Sequence, residues 1–408
     1  LSLTIWRPET ADSPLPVIAW LHGGGFTSGR RGLPWYDGGT LAAEQGVIVV
    51  GINYRLGPLG FLHVDGFVSG NLAIQDQQLA LEWIRDHIAA FGGDPDQVTA
   101  LGESGGGHNI VIMLAARPAR PLFHRAILQS APLGIGLASR EEATLRAALY
   151  LAELELPADA TDLAERLRGV PTDRLLVALS GVGYRLPTRT PGDLRPFFLP
   201  VEDEFGAGDS AGLIARAAET AAAHGIDLLV GWNRDEARFF LADSEMTKTM
   251  TEEKLLDAAL KSWGAIGEQL VADPALSSPD AAPGDRFIAA VSDVVFRRPA
   301  LELAEAVRNA GGSVHVYQFD WSSPDPDLGA CHCIELPFVF GSFAAFEGRM
   351  VAGVSIDEVS ALAVEVRQRW ADFAKRLTPG FPKWTEQGRA ICHFDSEIEV
   401  RFLVDREA

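Results

Sequence analysis

Cysteine is scarce in this chain of 408 residues, which has three: Cys331, Cys333 and Cys392. A low and odd count does not fit a disulfide framework, because such a framework needs pairs of cysteines. The same usage is typical of proteins that stay in a reducing compartment. We therefore predict a cytoplasmic protein.

Long apolar runs are also lacking. The longest of them, such as residues 47–52 and 111–116, are far too short for the roughly 20 residues that a membrane-spanning helix needs. Residues 1–6 contain no basic stretch followed by an apolar segment, so no signal peptide is visible. The sequence thus predicts no membrane insertion.

Positive charge is in deficit, with 35 Lys and Arg against 55 Asp and Glu and a net charge of −20 at pH 7. A nucleic-acid backbone or an anionic membrane surface would repel such a chain. We therefore predict no nucleic-acid partner. The composition leaves monomer and homodimer open.

The chain has ample material for a packed core, since 47% of it is hydrophobic. In the first half, short apolar runs alternate with amphipathic segments, which is typical of a parallel sheet with crossover helices. The pattern predicts strands at 17–21, 47–53, 98–102, 126–129, 227–231, 314–319 and 390–394. It predicts helices at 72–91, 105–116 and 355–377, the last with a capping box at its start. Helices rich in Ala, Leu and Glu, from about 139 to 179, indicate an insertion above the sheet.

The segment Gly102-Glu103-Ser104-Gly105-Gly106 matches the motif G-x-S-x-G and lies between a predicted strand and a predicted helix. That context is the one in which the motif presents a nucleophilic serine on a strained turn. The flanking glycines allow other backbone segments to pass close by. We predict Ser104 as a nucleophile; the alternative is a glycine-rich turn with an idle serine.

A second glycine-rich segment, His22 to Phe26, follows the first predicted strand. Acyl transfer creates a negatively charged oxygen that needs fixed N–H donors, and consecutive glycines can turn their N–H groups toward it. We assign Gly24, Gly25 and Gly105 as these donors. A phosphate-binding loop is the alternative, but the lysine and Ser/Thr of such a loop are missing.

An activated serine needs a histidine base, and in this arrangement the base follows the serine and the acid along the chain. Of nine histidines, His332 lies in a loop after a predicted strand, which suits a base. His315 and His393 lie in strand patterns, and we expect His315 to be a packing residue. His108 lies one turn along the helix behind the serine, and we expect it to pack or to form hydrogen bonds.

A histidine base needs an orienting carboxylate. Asp235 and Glu236 follow the predicted strand 227–231 and therefore lie at the carboxyl edge of the sheet, where such sites are built. Spacing alone does not choose between the two.

The chain resembles the type B carboxylesterases, the family that includes the cholinesterases and many bacterial esterases. The matching segments extend over most of the chain: PVIAWLHGGGF (16–26), INYRLGPLGF (52–61), GNLAIQDQQLALEWIRDHIAAFGGDP (70–95), VTALGESGGG (98–107), LLVGWNRDEARFF (228–240) and HCIELPFVFG (332–341).

The resemblance implies an α/β-hydrolase fold, with a mostly parallel central sheet flanked by helices and a helical insertion over the active site. It implies a serine carboxylesterase that forms an acyl-enzyme on a small-molecule ester and needs no cofactor. It selects Glu236 as the triad acid, supports His332 as the base, and implies that Glu103 is a buried acid that tunes the site.

Three departures from the family pattern matter. Gly105 stands where the family usually has alanine, but the backbone N–H is the same. Relatives begin well upstream, so we expect that the N-terminal part of the family domain is absent from this sequence. The disulfides of secreted relatives are missing, which favours a bacterial type. We predict one catalytic domain over residues 1–408 with a helical insertion at about 135–225.

Several points stay open. Cys331, His332 and Cys333 could suggest a metal centre, but only Cys392 or His393 could complete a four-ligand site, so we predict no metal. Candidates for an apolar acyl pocket are Phe26, Phe197, Phe198, Phe239 and Phe338, with core packing as the alternative. The alternative functions are a non-catalytic cholinesterase-like binding protein and a promiscuous amide or carbamate hydrolase.

Overall fold

The structure is a computed structural model that describes residues 1–116, 121–182, 189–202, 210–346 and 348–403. Within these residues the strands are β1 (Ser2–Trp6), β2 (Leu15–Leu21), β3 (Ile48–Asn53), β4 (His63–Val64), β5 (Val68–Ser69), β6 (Gly93–Glu103), β7 (Arg125–Gln129), β8 (Asp227–Asn233), β9 (Val314–Phe319), β10 (Ala390–Phe394) and β11 (Ile398–Phe402).

Nine of these strands form one sheet in the order β1-β3-β2-β6-β7-β8-β9-β10-β11. The outermost pairs, β1 with β3 and β10 with β11, are antiparallel. All the pairs between them are parallel. The predicted, mostly parallel sheet is therefore confirmed.

The α-helices of the described residues are α1 (Gly39–Gln45), α2 (Gly57–Phe61), α3 (Leu72–His87), α4 (Gly105–Ala115), α5 (Arg140–Glu153), α6 (Leu163–Gly169), α7 (Thr172–Val182), α8 (Ser210–His224), α9 (Arg238–Leu241), α10 (Glu245–Lys248), α11 (Glu252–Trp263), α12 (Gly267–Ala272), α13 (Pro283–Ser292), α14 (Arg298–Asn309), α15 (Leu336–Phe340) and α16 (Ile356–Ala374). None of these helices is both long and apolar enough to cross a bilayer.

Both faces of the sheet are covered by helices. On β2, Val17, Ala19 and Leu21 face one hydrophobic cluster, and Ile18 and Trp20 face the other, because successive side chains of a strand alternate. The first cluster includes side chains of α3, α4, α8 and α14, and the second includes side chains of α1 and α16. Strands buried on both faces have nearly continuous apolar sequences, which explains why the sequence pattern identified them.

Several element bounds differ from the prediction. Strand β6 starts at Gly93 rather than at residue 98, and β8 continues to Asn233. The predicted helix 72–91 is α3 followed by a 3₁₀ turn, which ends where Gly92 has φ 84°. Helix α16 has the predicted capping box but ends at Ala374. The helices α9 to α14 and strand β11 were not predicted, although α11, α13 and α14 each bury a regularly spaced apolar face.

The predicted insertion at about 135–225 includes residues 183–188 and 203–209, which lie outside the described residues. Its described part contains α5, α6 and α7, which lie between β7 and β8 in the chain, and also α8. Helix α8 packs against α4 and α14 beside the sheet. The domain bounds stay a prediction.

The first turn of helix α4 passes very close to the end of β2. A Cβ added at Gly106, in its first turn, would lie 2.0 Å from the carbonyl oxygen of Leu21 at the end of β2. A Cβ at Gly102 would lie 2.5 Å from the Gly106 carbonyl carbon. The glycines around Ser104 are therefore required by close contact between backbone segments.

We predict that Gly106→Ala lowers the free energy of unfolding by about 2 kcal/mol or more, because the methyl group must displace backbone in a packed core. Urea denaturation followed by circular dichroism measures this. The control is Gly169→Ala at the exposed end of α6, where an added Cβ meets no atom within 4 Å. Equal midpoints for Gly106→Ala and the unmodified protein would contradict the prediction.

Candidate active site

Ser104 lies at the turn between β6 and α4 in a strained backbone conformation, with φ 53° and ψ −124°. A positive φ is costly for a residue with a Cβ and persists only where neighbours enforce it. The Ser104 N–H donates to the Gln129 carbonyl of β7 (2.9 Å), and the Ser104 carbonyl accepts from the His108 N–H (3.0 Å). Sheet and helix thus hold the turn from both sides.

A cavity of about 390 Å³ opens above this turn. Ser104, His332, Gly24, Gly25 and Gly105 all line it. Its volume is typical of a small-molecule site. The structure therefore brings the predicted nucleophile, base and N–H donors to one place.

The loop after β2 is shaped by glycine. Gly24 has φ 115° and Gly25 has φ 58°, and a Cβ at Gly23 would lie 2.3 Å from Glu103 Oε2. The N–H groups of Gly24 and Gly25 donate to no acceptor among the described residues. Gly105 begins α4, and the N–H groups of a first helical turn have no acceptor within the helix. These donors are available to an oxygen in the cavity.

His332 forms a hydrogen bond with a carboxylate at the carboxyl end of β8. Its Nδ1 lies 2.5 Å from Glu236 Oε2, and both side chains are buried. Glu236 Oε1 also accepts the Asn233 N–H at 2.8 Å. Asp235 turns elsewhere, since its Oδ2 accepts the Ala330 N–H (2.9 Å) and lies 3.0 Å from Arg234. Of the two acids that spacing left open, Glu236 contacts the imidazole.

The other ring nitrogen of His332 points at a second carboxylate. His332 Nε2 lies 3.1 Å from Glu103 Oε1. The structure has no hydrogen bond between His332 and the Ser104 hydroxyl among the described residues, although both border the cavity. Such bonds are often long or misaligned without substrate and shorten when it binds.

A family model described as the carboxylesterase family matches residues 1–390. The chain belongs to the carboxylesterase family.

Bacterial esterases are similar to this carboxylesterase over nearly its whole length. The para-nitrobenzyl esterase of Bacillus subtilis is 37% identical over 410 residues, which cover 98% of this chain and 80% of that protein. A probable N-octanoylanthranilate hydrolase of Rhodococcus erythropolis is 37% identical over 386 residues, covering 94% and 78%. The phenmedipham hydrolase of Pseudarthrobacter oxydans is 35% identical over 390 residues, covering 93% and 74%.

Solved structures of esterases are also similar to this chain. A carboxylesterase of Geobacillus stearothermophilus has a TM-score of 0.83 and 32% identity, covering 98% of this chain and 82% of that one. A thermophilic PNB esterase has a TM-score of 0.81 and 35% identity, covering 98% and 80%. The predicted α/β-hydrolase fold is confirmed. The protein is a carboxylic ester hydrolase of the serine hydrolase class, and the non-catalytic alternative is not supported.

Three glutamates surround the imidazole of the carboxylesterase. Glu103, Glu236 and Glu335 are each at most 1% exposed. Glu335 accepts from the side-chain amides of Gln129 (2.8 Å) and Asn233 (2.6 Å). Hydrogen bonds therefore hold this carboxylate in the core, where an unpaired charge would be very costly.

The glutamates set the electrostatics of the site. Burial raises the pKa of Glu103 to about 7, although the nearby His332 opposes the shift. Burial disfavours the charged imidazole of His332, but the carboxylates of Glu236 and Glu103 outweigh burial and raise its pKa to about 9. Since Glu103 and His332 interact directly, they titrate as a pair.

The other candidate histidines lie outside the cavity. His108 is fully buried beside Phe26, and burial lowers its pKa to about 3. His315 lies in β9, and His393 lies in β10 with its Nδ1 2.6 Å from Asp320 Oδ2. These positions agree with the packing roles expected for His108 and His315.

The predicted pocket phenylalanines divide into two groups. Phe26 and Phe239 line the cavity. Phe197, Phe198 and Phe338 do not: the rings of the first two meet edge to face, and Phe338 packs on Phe319 and Trp321 in the core. Those three placements correct the sequence-based list, because the chain pattern does not distinguish a buried ring from a ring that faces a cavity.

Two further phenylalanines were missed. Phe240 and Phe296 line the cavity, with ring centroids 5.2 and 5.1 Å from that of His332. Phe240 directly follows Phe239 in the chain, so adjacency was an available signal. Phe296 belongs to a π-helical turn, Asp293–Arg297, that no sequence pattern indicated.

A metal could be held at one place among the described residues. Glu103, His332 and Cys333 bring donor atoms to within 4.8 Å of one another. Cys331 and Cys392, which the sequence pointed to as partners, are buried in the core and do not line the cavity. Glu103 was missed as a donor because it is distant in sequence.

We predict that Glu103→Gln shifts the acidic limb of the kcat/KM profile to lower pH. The Glu103 carboxylate favours the protonated imidazole, so its removal lowers the pKa of His332 and the neutral base persists at lower pH. The measurement is kcat/KM against pH for both proteins. Asp235→Asn is the control, because its carboxylate does not touch the ring. A limb that moves upward in Glu103→Gln would contradict the assignment.

Proposed function

We propose that the enzyme hydrolyses esters through an acyl-enzyme on Ser104, with His332 as general base and Glu236 as the orienting acid. The observation that carries this proposal is the 2.5 Å hydrogen bond between Glu236 and His332, whose imidazole lines the same cavity as Ser104. A serine on a strained turn, a base beside it and a carboxylate behind the base are the parts that nucleophilic acyl transfer requires.

In the proposed reaction His332 Nε2 accepts the proton of Ser104 Oγ while Oγ attacks the ester carbonyl. The neutral ring carries its proton on Nδ1, toward Glu236, which leaves Nε2 as an acceptor. The contact of Nε2 with Glu103 Oε1 must give way to Ser104 at this stage. His332 then protonates the leaving alcohol, and a water molecule activated in the same way releases the acid.

We propose that Gly24, Gly25 and Gly105 bind the oxyanion. Their N–H groups border the cavity, and those of Gly24 and Gly25 have no acceptor among the described residues. One such donor is typically worth about 2.7–4 kcal/mol in the transition state. The loop is kept in place by Tyr54, whose hydroxyl donates to the His22 carbonyl at 2.5 Å.

We propose small to medium uncharged esters as substrates. The cavity of about 390 Å³ is lined mainly by apolar groups, with no Lys or Arg among its described lining residues to neutralise an anionic substrate. One relative is named as a para-nitrobenzyl esterase, and the nitrobenzyl group is aromatic. The cavity has aromatic side chains that suit such a group, among them Phe239, Phe240 and Phe296.

A second candidate activity is cleavage of N-acyl or carbamate bonds. It is favoured by the relative that is a probable N-octanoylanthranilate hydrolase, at 37% identity. The same nucleophile, base and oxyanion donors would serve both bonds.

Location and assembly stay predictions. We propose the cytoplasm, because the described cysteines are all free thiols, as is usual in a reducing compartment. Monomer and homodimer remain the two candidate states, with no nucleic acid as a partner.

We predict that Ser104→Ala abolishes turnover of p-nitrophenyl acetate, and that Glu236→Gln lowers kcat by several orders of magnitude while Asp235→Asn has a small effect. The reason is that an amide in place of the Glu236 carboxylate no longer fixes the His332 tautomer. Steady-state kinetics of the three variants measure this. A larger loss in Asp235→Asn than in Glu236→Gln would reverse the choice of acid.

We predict that Phe296→Leu raises the ratio of kcat/KM for decanoate to that for acetate in a p-nitrophenyl ester series. The smaller side chain enlarges the cavity next to His332, and each methylene accommodated in an apolar pocket is worth roughly 1–3 kcal/mol. Phe338→Leu is the matched control, since its ring is equally buried but outside the cavity. Equal changes in the ratio for both variants would contradict a pocket role for Phe296.

A further inference from the structure

One carboxylate oxygen in the cavity, Glu103 Oε1, lies within hydrogen-bond distance of two groups of different chemistry. The thiol of Cys333 donates to Glu103 Oε1 at 3.1 Å, and His332 Nε2 lies 3.1 Å from the same oxygen. The three donor atoms lie within 4.8 Å of one another. A sulfur, a nitrogen and an oxygen atom thus lie close together on the wall of the cavity.

This donor set matches zinc-type cations better than magnesium or calcium. Zinc is bound at about 2.0–2.3 Å by thiolate, imidazole and carboxylate, usually as a tetrahedron, whereas magnesium and calcium prefer oxygen alone. The two separations of 3.1 Å, from Glu103 Oε1 to His332 Nε2 and to Cys333 Sγ, are close to the edges of such a tetrahedron. Three protein ligands would leave a fourth position open, and all three residues line the cavity, so a cation can enter from it.

The charges of the surroundings favour a cation. Glu103 is accompanied by the buried carboxylates of Glu236 and Glu335, and the described residues lining the cavity include no Lys or Arg. His332 is also already oriented by its hydrogen bond to Glu236, and a carboxylate behind a histidine ligand strengthens metal binding. The site therefore needs little rearrangement to accept a dication.

We propose that Glu103, His332 and Cys333 form an inhibitory site for a thiophilic divalent cation of the zinc type. Binding releases the proton of Cys333 Sγ to solvent and, where the ring is protonated, the proton of His332 Nε2 as well. The cation then occupies the nitrogen that must accept the proton of Ser104. The inhibition rests on the proposed role of His332 as base, whereas the binding itself does not.

The binding is tested with cobalt(II), which reports a thiolate ligand through charge-transfer absorption in the near ultraviolet. The expected result is a saturable band of one cobalt per chain in the unmodified enzyme, present in Ser104→Ala and lost in Cys333→Ser. Cys392→Ser is the matched control, because Cys392 is buried in β10 away from the cavity, and it should keep the band. A missing band in the unmodified enzyme, or a band that survives Cys333→Ser, would overturn the site.

The inhibition is tested with zinc in chelator-buffered solutions, each variant being normalised to its own rate without metal. Removing a group that only hydrogen-bonds to a metal ligand lowers the affinity for the metal about 10–100-fold. Removing a ligand itself should cost at least as much, so Cys333→Ser should raise the half-inhibitory zinc concentration by at least about tenfold. Cys392→Ser should behave like the unmodified enzyme, and excess chelator should restore activity. Equal sensitivity in Cys333→Ser, or a cobalt band without inhibition by zinc, would overturn the inhibitory role. The Ser104→Ala kinetics test the proposed function separately.

Discussion

The hydrogen bond between Glu236 and His332 is the interaction on which the rest of the site depends. It orients the ring so that Nδ1 faces the carboxylate and Nε2 faces the cavity. A buried imidazole without that partner would be expected to lose affinity for protons through desolvation, as His108 does. With two carboxylates in contact, the pKa of His332 instead rises to about 9. The same ring is thereby a strong base, suited to the two roles proposed for it, acceptor of the serine proton and ligand of a cation.

The sheet makes this arrangement rigid. Glu103 ends β6, Gln129 ends β7 and Asn233 ends β8, and these three strands are neighbours in the parallel part of the sheet. Their carboxyl ends therefore present the site side by side. Behind them, Gln129 donates to Glu335 and accepts from the indole of Trp370, while Asn233 donates to Glu335. This second layer of hydrogen bonds explains how a third buried carboxylate is tolerated so close to the first two.

The arrangement also carries a cost. Three buried carboxylates with one histidine concentrate negative charge in a region of low dielectric, and each of them is stable only because it is hydrogen-bonded. Burial raises the pKa of Glu103 to about 7, so its charged form is much less favoured than that of an exposed glutamate. Strain is added at Ser104 and at Cys333, whose φ is 70°. Such local penalties are common where reactivity is required, and the buried core on both faces of the sheet compensates for them.

The sequence by itself determined the fold class and narrowed the candidates for the reacting groups. Buried parallel strands are apolar along their length, and glycines at 102 and 106 are required where backbone passes backbone, so both leave clear local patterns. The tertiary structure alone decided what distant residues touch. It shows that Glu236, the acid the family resemblance implied, contacts His332. It also places Phe240 and Phe296 on the cavity and Phe338 in the core, and brings Cys333 to Glu103, which lies 230 residues earlier in the chain. Contacts of this kind depend on the packing of whole elements, and neither local periodicity nor a short motif encodes that packing.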